Sequence, residues 1–354
     1  MKKTYINGLG CISAQKTFDS IFLEEAELNV NDTILALEKP VYKDFIPPAA
    51  IRRMAKGVKN GIVASTLALR EAQLETVDAI ITGTGMGCIE DSEKFLKAIL
   101  DNGEQFLTPT SFIQSTHNTV GGQIALGLQC KAYNLTYVNG SVSFESALFD
   151  AKMMIEEGDA SRILVGGIDE TADYTIALFK LAGFIKKENQ SPYSILESTT
   201  NGVVFGEGAT FFVLENEIKE NTFAEILDIE IFNKLETDEV ENRITNFLAS
   251  NDLKVTDIDA VLLGYNGDVD SDLYYKNLSN NTFLNTPQVY YKHLSGEYDT
   301  ASAFGLWLGA KIIQTQNIPD IVKINALESQ SYKTVLLYNQ RNGVDHSFTL
   351  ISSC

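Results

Sequence analysis

The sequence predicts an α/β fold with a duplicated core. Short β-branched and aromatic runs alternate along the chain with stretches of helical periodicity. The same order of strands and helices is met twice, once up to Leu214 and again from Phe223. The chain has 354 residues and is 44% hydrophobic, enough for buried mixed sheets under helices, and no linker separates the two passes.

In order, Tyr5–Cys11 is predicted as a strand opening on Gly8 and Gly10. Residues 52–73 follow a helical pattern through Met54, Val58, Ile62 and Leu69. Val77–Thr82 is a strand running into Gly83-Thr-Gly-Met-Gly87. Ser92–Leu100 is a helix, Leu107–Ser115 a loop with Pro109, and Thr119–Leu128 a buried helix. Arg162–Val165 is a strand, Ile176–Leu181 helical, residues 189–198 a polar loop and Thr210–Leu214 a strand. The second pass gives strand Phe223–Phe232, helix Val240–Ala249, strand Ala260–Leu263, helix Leu273–Leu278, strand Val289–Tyr291 and helix Ala301–Ile313. A hairpin of Val335–Tyr338 and Phe348–Ile351 closes it.

Composition excludes several classes. A net charge of −19 argues against nucleic acid and anionic membrane surfaces. No apolar run approaches the ~20 residues of a membrane span. The four cysteines are scattered, which suits a reduced, cytoplasmic protein rather than a disulfide or zinc framework. MKKTYINGLG breaks at once into Gly and Asn and is a first strand rather than a signal peptide. Asp268, Asp270 and Asp272 imitate half a calcium loop, but Ser279 stands where its bidentate Glu belongs, so a solvated turn is expected. Gly83–Gly87 lacks the spacing of a dinucleotide site and is expected to be a tight turn. No metal or cofactor is expected.

The chemistry is expected at Thr136–Asp159. Thr136-Tyr-Val138 is a strand, Gly140-Ser141 a sharp turn, and Phe144, Ala147, Leu148, Ala151 and Ile155 mark a helix. This puts Ser141 at a helix N-terminus, where free N–H groups and the dipole stabilise an anion or acyl oxyanion. Acyl-transfer enzymes mount a Cys or Ser in this way.

These residues resemble the β-ketoacyl synthase family of the thiolase fold. The resemblance rests on INGLGCIS, SFIQSTHNTVGGQIALGL, the strand–elbow–helix, GDASRILVGGIDE and NGVVFGEGATFFVLE, in order from Lys3 to Glu215. It continues more weakly through DIDAVLLGYNGD and YYKHLSGEYDTASAFGLWLGAKII. It implies a duplicated α-β-α-β-α arrangement with two mixed five-stranded sheets, in halves 1–233 and 234–354. The family's chemical residues are not kept. Counting back from Gly158 places Ser141 at the nucleophilic Cys. The family's HGTGT falls on Gly264–Asp268, so the first His becomes Gly264. KxxTGH falls on Lys292–Glu297, so the second His becomes Glu297 while Lys292 is kept. The closing GFGGTNG turn becomes Arg341–Ser347.

A Ser hydroxyl needs a general base where a Cys is partly thiolate. A carboxylate at 297 repels an enolate. No Claisen condensation is therefore expected from this chain alone. His117, His293 and His346 are candidate bases, each with a packing or hydrogen-bonding role as the alternative. A Ser141–His346 pair is also considered. The resemblance implies a chain-length-factor-like subunit of the type II polyketide or aryl polyene kind. It would form a heterodimer with an active ketosynthase, with the acidic acyl carrier protein docking mainly on that partner. Phe112, Thr116 and His117 would then lie at the interface, and Thr84, Met86 and Cys88 near the acyl cavity. The alternative is an acyltransferase, hydrolase or malonyl decarboxylase using Ser141.

Overall fold

The structure is a computed structural model that describes residues 2–18 and 22–354. Ten strands form its main sheet: β1 Tyr5–Ile12, β2 Ala79–Gly83, β3 Tyr133–Tyr137, β4 Arg162–Asp169, β5 Gly208–Glu215, β6 Ala224–Lys234, β7 Ala260–Leu263, β8 Gln288–Tyr290, β9 Thr334–Arg341 and β10 Val344–Ser352. The helices of about two turns or more are α1 Lys56–Ala72, α2 Ile89–Asp101, α3 Pro109–Ser115, α4 Thr119–Leu128, α5 Ser143–Glu157, α6 Asp173–Ala182, α7 Val240–Ser250, α8 Leu273–Asn280 and α9 Ser302–Thr315.

Strand order exposes the duplication. One run is β3-β2-β4-β5-β1 and the other β8-β7-β9-β10-β6. In each, the first three strands are parallel and the last two antiparallel. Two separate five-stranded sheets were expected; the runs instead join into one ten-stranded sheet. The joint is small: Tyr5 faces Glu225 and Ile6 faces Ala224. It forms because each edge offers unpaired backbone groups to the other, as where Phe223 N–H donates to the Ile6 carbonyl at 2.9 Å.

Three large apolar clusters fill the layers. The central one packs α5 and α9 between the two runs, through Phe144, Leu148, Phe304 and Trp307. An outer cluster lies under α1 and α4, another under α7 and α8. In α1 the small Ala64 and Ala68 face β1 at Gly8 and Gly10, where any Cβ would run into their carbonyls. These layers stack in the α-β-α-β-α order that the resemblance implies.

One local expectation is corrected. The loop expected at Leu107–Ser115 is helical from Pro109, with Pro in the first turn. A proline there loses no hydrogen bond, since that N–H has no helical partner, and its fixed φ favours the helix.

Candidate functional site: the serine elbow

The strand before the elbow, β3, ends at Tyr137. Gly140 takes φ +54°, a left-handed turn that favours glycine, and a single helical turn at Gly140–Val142 leads into α5. Ser143 ties the corner down: its hydroxyl donates to the Gly140 carbonyl at 2.7 Å and accepts from Asn139 N–H at 2.8 Å. Ser141 is buried at the start of the helix, as the spacing predicts.

Its partner is Asp345. The Ser141 hydroxyl donates to Asp345 Oδ2 at 3.0 Å, and the Ser141 backbone N–H points at the same oxygen from 3.3 Å. Asp345 comes from the closing hairpin. Asn342 and Gly343, at φ +54° and +71°, make the two-residue turn that joins β9 to β10. Asn-Gly is a strong hairpin signal in the sequence. Side chains alternate along a strand, so His346 faces the other way: its Nδ1 lies 3.0 Å from the Tyr338 hydroxyl. The Ser141–His346 pair does not form.

The other histidines are also directed elsewhere. His293 is buried, stacked 3.7 Å from Tyr290, with Nε2 2.8 Å from the Ile321 carbonyl. Burial drives its pKa down to about 3, so it is neutral. His117 is exposed and packs against Gly87 in the turn after β2.

Lys292 and Glu297 form a fully buried ion pair at 2.8 Å. Asn266 Nδ2 donates to the same carboxylate oxygen at 2.8 Å. Gly264, at the end of β7, packs instead against Tyr275 and Asn339. Asn266 is therefore the side chain that stands beside Glu297, and sequence reasoning passed over it. Registering Gly267 on the second residue of HGTGT would have found it. The acidic turn has a structural task. Asp272 accepts the Asn266 and Gly267 N–H groups at 3.0 Å each, and Asp268 accepts Gly202 N–H at 2.6 Å. Burial pushes the Asp272 carboxyl up to about 7. Among the described residues no group of three or more His, Cys, Asp or Glu side chains is placed to hold a metal ion.

Beyond Glu297 opens a cleft of about 690 Å3, lined by Phe184, Asn266, Asp268, Tyr274, Glu297 and Arg341 among others. Arg341 pairs with Asp299 at its edge. Thr84 lies behind this wall, its hydroxyl spent on Asp169 at 2.9 Å; Asp169 also accepts Gly85 N–H and the Thr300 N–H and hydroxyl. Burial first, and then the Asp299 charge, lift the Asp169 carboxyl to about 6. Cys88 is buried under α1, its thiol pushed upward by burial, and Met86 is half-buried. Thr116 is exposed, its hydroxyl 2.8 Å from that of Thr119.

The outer edge of β3 has no strand neighbour among the described residues. Tyr133, Leu135 and Val138 are exposed along it, with Phe112 and Ile113 on α3, Leu126 on α4, and Phe149 and Met153 on α5. Isolated exposed apolar residues are ordinary, but this many beside an open strand edge mark an interaction surface.

The family profile "Beta-ketoacyl synthase, N-terminal domain" matches residues 42–219, half of the chain. The chain belongs to the β-ketoacyl synthase family. A curated relative of this family member, 3-oxoacyl-[acyl-carrier-protein] synthase 2 of Staphylococcus aureus (strain N315), is 25% identical over 243 residues, 61% of this chain and 58% of the relative. The synthase of the same name from Synechocystis sp. is 24% identical over 181 residues, 48% of this chain and 44% of that one. The chain thus spans about half the length of these relatives. Among solved structures, the ishigamide ketosynthase/chain length factor superposes with a TM-score of 0.80 at 18% identity, covering 100% of this chain and 99% of that one. The ketosynthase ApeO in complex with its chain length factor ApeC, from Xenorhabdus doucetiae, gives 0.76 at 14%, covering 100% and 98%. At those identities the likeness establishes the ketosynthase fold. Among the described residues no helix is long and apolar enough to cross a membrane.

Proposed function

We propose that this chain is the non-condensing partner of an active ketosynthase: a chain-length-factor-like subunit that pairs through the β3 edge and shapes the acyl pocket. The observation that carries the reading is the Asp345 carboxylate on Ser141. It takes both the hydroxyl and the backbone N–H, so the donor an acyl oxyanion needs is engaged by a negative charge. Lys292–Glu297 fills the place of the second histidine with an internally satisfied pair, and no imidazole reaches the elbow. The pairing face keeps its exposed apolar residues while the elbow has lost its chemistry. Phe112 and Thr116 belong to the interface in this reading. Chain length factors occur beside ketosynthases in both superposed structures. A type II polyketide or aryl polyene assembly is the setting that best fits.

The same hydrogen bond favours one second reading, hydrolysis or acyl transfer on Ser141 with Asp345 as base. The charge argument opposes it, because a carboxylate at 3.0 Å disfavours the oxyanion of a tetrahedral intermediate.

Affinity purification of the chain from its source, with mass-spectrometric identification of what accompanies it, tests the proposal. A stoichiometric ketosynthase with Cys and both His intact supports it. Recovery of the chain with itself alone, together with a stable acyl adduct on Ser141, overturns it in favour of the second reading.

A further inference from the structure

A second cleft, of about 430 Å3, opens between β1, α1 and α9 and shares no lining residue with the cleft beyond Glu297. This size lies within the roughly 300–1,000 Å3 typical of small-molecule sites. Among the described residues its charged lining is Lys16, Arg70 and Lys311 against one carboxylate, Glu71. On a chain of net charge −19 that local balance is reversed.

Part of the charge is already engaged. Lys16 pairs with Glu25 at 2.9 Å, and Lys311 Nζ lies 3.7 Å from Glu71 Oε1. Glu71 Oε2 accepts Leu9 N–H at 2.8 Å. The Arg70 guanidinium rests over the Phe45 ring at 4.9 Å and makes no ion pair or hydrogen bond with another described residue. Trp307 adds an independent feature. It is 3% exposed and lines the cleft, and its indole N–H has no hydrogen-bond partner among the described residues. An indole N–H only donates. Residues carrying an unspent planar fork, an ammonium and an unpartnered indole N–H thus line one cleft. That donor set suits a carboxylate or phosphate.

We propose that this cleft binds a small organic anion. Its carboxylate or phosphate would meet Arg70, Lys311 and the Trp307 N–H, and its apolar or aromatic body would lie against Phe18 and Leu67. The proposal does not depend on the reading of the elbow.

Trp307 is the only tryptophan of the chain, so intrinsic fluorescence reports this site directly. The purified chain is titrated with benzoate, octanoate, phenyl phosphate and inorganic phosphate, with benzamide as the neutral control. Calorimetry on the same samples covers a binding event that leaves emission unchanged. The expected result is saturable binding of at least one anion, absent for benzamide and weakened roughly tenfold or more in Arg70→Gln and Lys311→Met. Whichever head group saturates at lower concentration identifies the class. Arg70 is exposed and Lys311 partly so, and circular dichroism confirms that the variants fold. Three outcomes overturn the proposal: no saturable binding up to about 10 mM, unchanged binding in both variants, or equal binding of benzamide.

Discussion

Asp345 Oδ2 receives both polar hydrogens of Ser141, the hydroxyl at 3.0 Å and the backbone N–H at 3.3 Å. The elbow keeps its shape while its anion-stabilising donor is engaged from within the chain. Asp345 owes its position to the Asn342-Gly343 turn and its own left-handed φ of +53°. The tight hairpin thereby closes the elbow.

That relationship predicts the behaviour of a cysteine placed at the elbow. In Ser141→Cys the neighbouring carboxylate disfavours the thiolate and raises the thiol pKa. Alkylation by iodoacetamide at neutral pH, followed by intact mass, should be slow. Adding Asp345→Asn should accelerate it about tenfold, the equivalent of one pKa unit. A single variant that alkylates as fast as an exposed thiol would rule this account out.

The buried pair of Lys292 and Glu297 predicts a stability pattern. Removing one partner strands a charge in the core and costs about 3–5 kcal/mol, whereas replacing both is far milder. Lys292→Met and Glu297→Gln should each lower the denaturation midpoint strongly. The double variant should recover much of the loss. Additive losses across this cycle would show that the two side chains do not act as a pair.

Much of the fold was legible because its signals are local. The helix at Thr119–Leu128 and the strand at Ala260–Leu263 have the bounds that periodicity assigned. Ser141 stands at the helix start for the same reason: a glycine turn sits between a β-branched strand and an apolar helix. Less legible were features set by residues far apart in sequence. Asp345 reaches Ser141 across 204 positions, and nothing near either residue marks the other. Asn266 was hidden by register, since Gly267 can stand on either glycine of the HGTGT motif, and only the first of them puts Asn266 on the His. The sheet joint at Tyr5 and Glu225 comes from edge pairing, which no periodicity encodes. The helix at Pro109–Ser115 was missed because proline was weighed as a breaker rather than as a first-turn residue.

Glu170 predicts a pH dependence. Its carboxylate accepts N–H groups from the first turns of both α1, at Gly57, and α2, at Glu90. Those helix ends favour the charged form, but burial outweighs them and lifts the carboxyl from its ordinary value near 4.5 to about 7. A carboxyl that holds its proton more tightly when folded stabilises the fold at low pH. That contribution declines as pH rises from about 4.5 and is lost through about 7, with a ceiling of about 3 kcal/mol. Asp272, also lifted to about 7, acts in the same sense. The thermal midpoint should therefore fall between pH 5 and pH 8 (the approximate window of these two groups), and Glu170→Gln should flatten that slope. A slope unchanged in the variant would remove Glu170 from the explanation.

The β3 edge predicts a separation of pairing from folding. Leu135 is 37% exposed and Phe112 is 54% exposed. Charged substitutions there remove little buried area from the chain itself, and surface changes of this kind typically alter stability by about 0.5 kcal/mol or less. In a strand-to-strand interface the same side chains face a partner, where a desolvated unpaired charge costs several kcal/mol. Leu135→Arg and Phe112→Asp should therefore leave the thermal midpoint of the isolated chain nearly unchanged while abolishing the complex seen by size-exclusion chromatography with light scattering. Leu327→Arg is the control: Leu327 is 41% exposed but belongs to none of β3, α3, α4 and α5. Loss of the complex in the control as well, or its persistence in both edge variants, would place the pairing surface elsewhere.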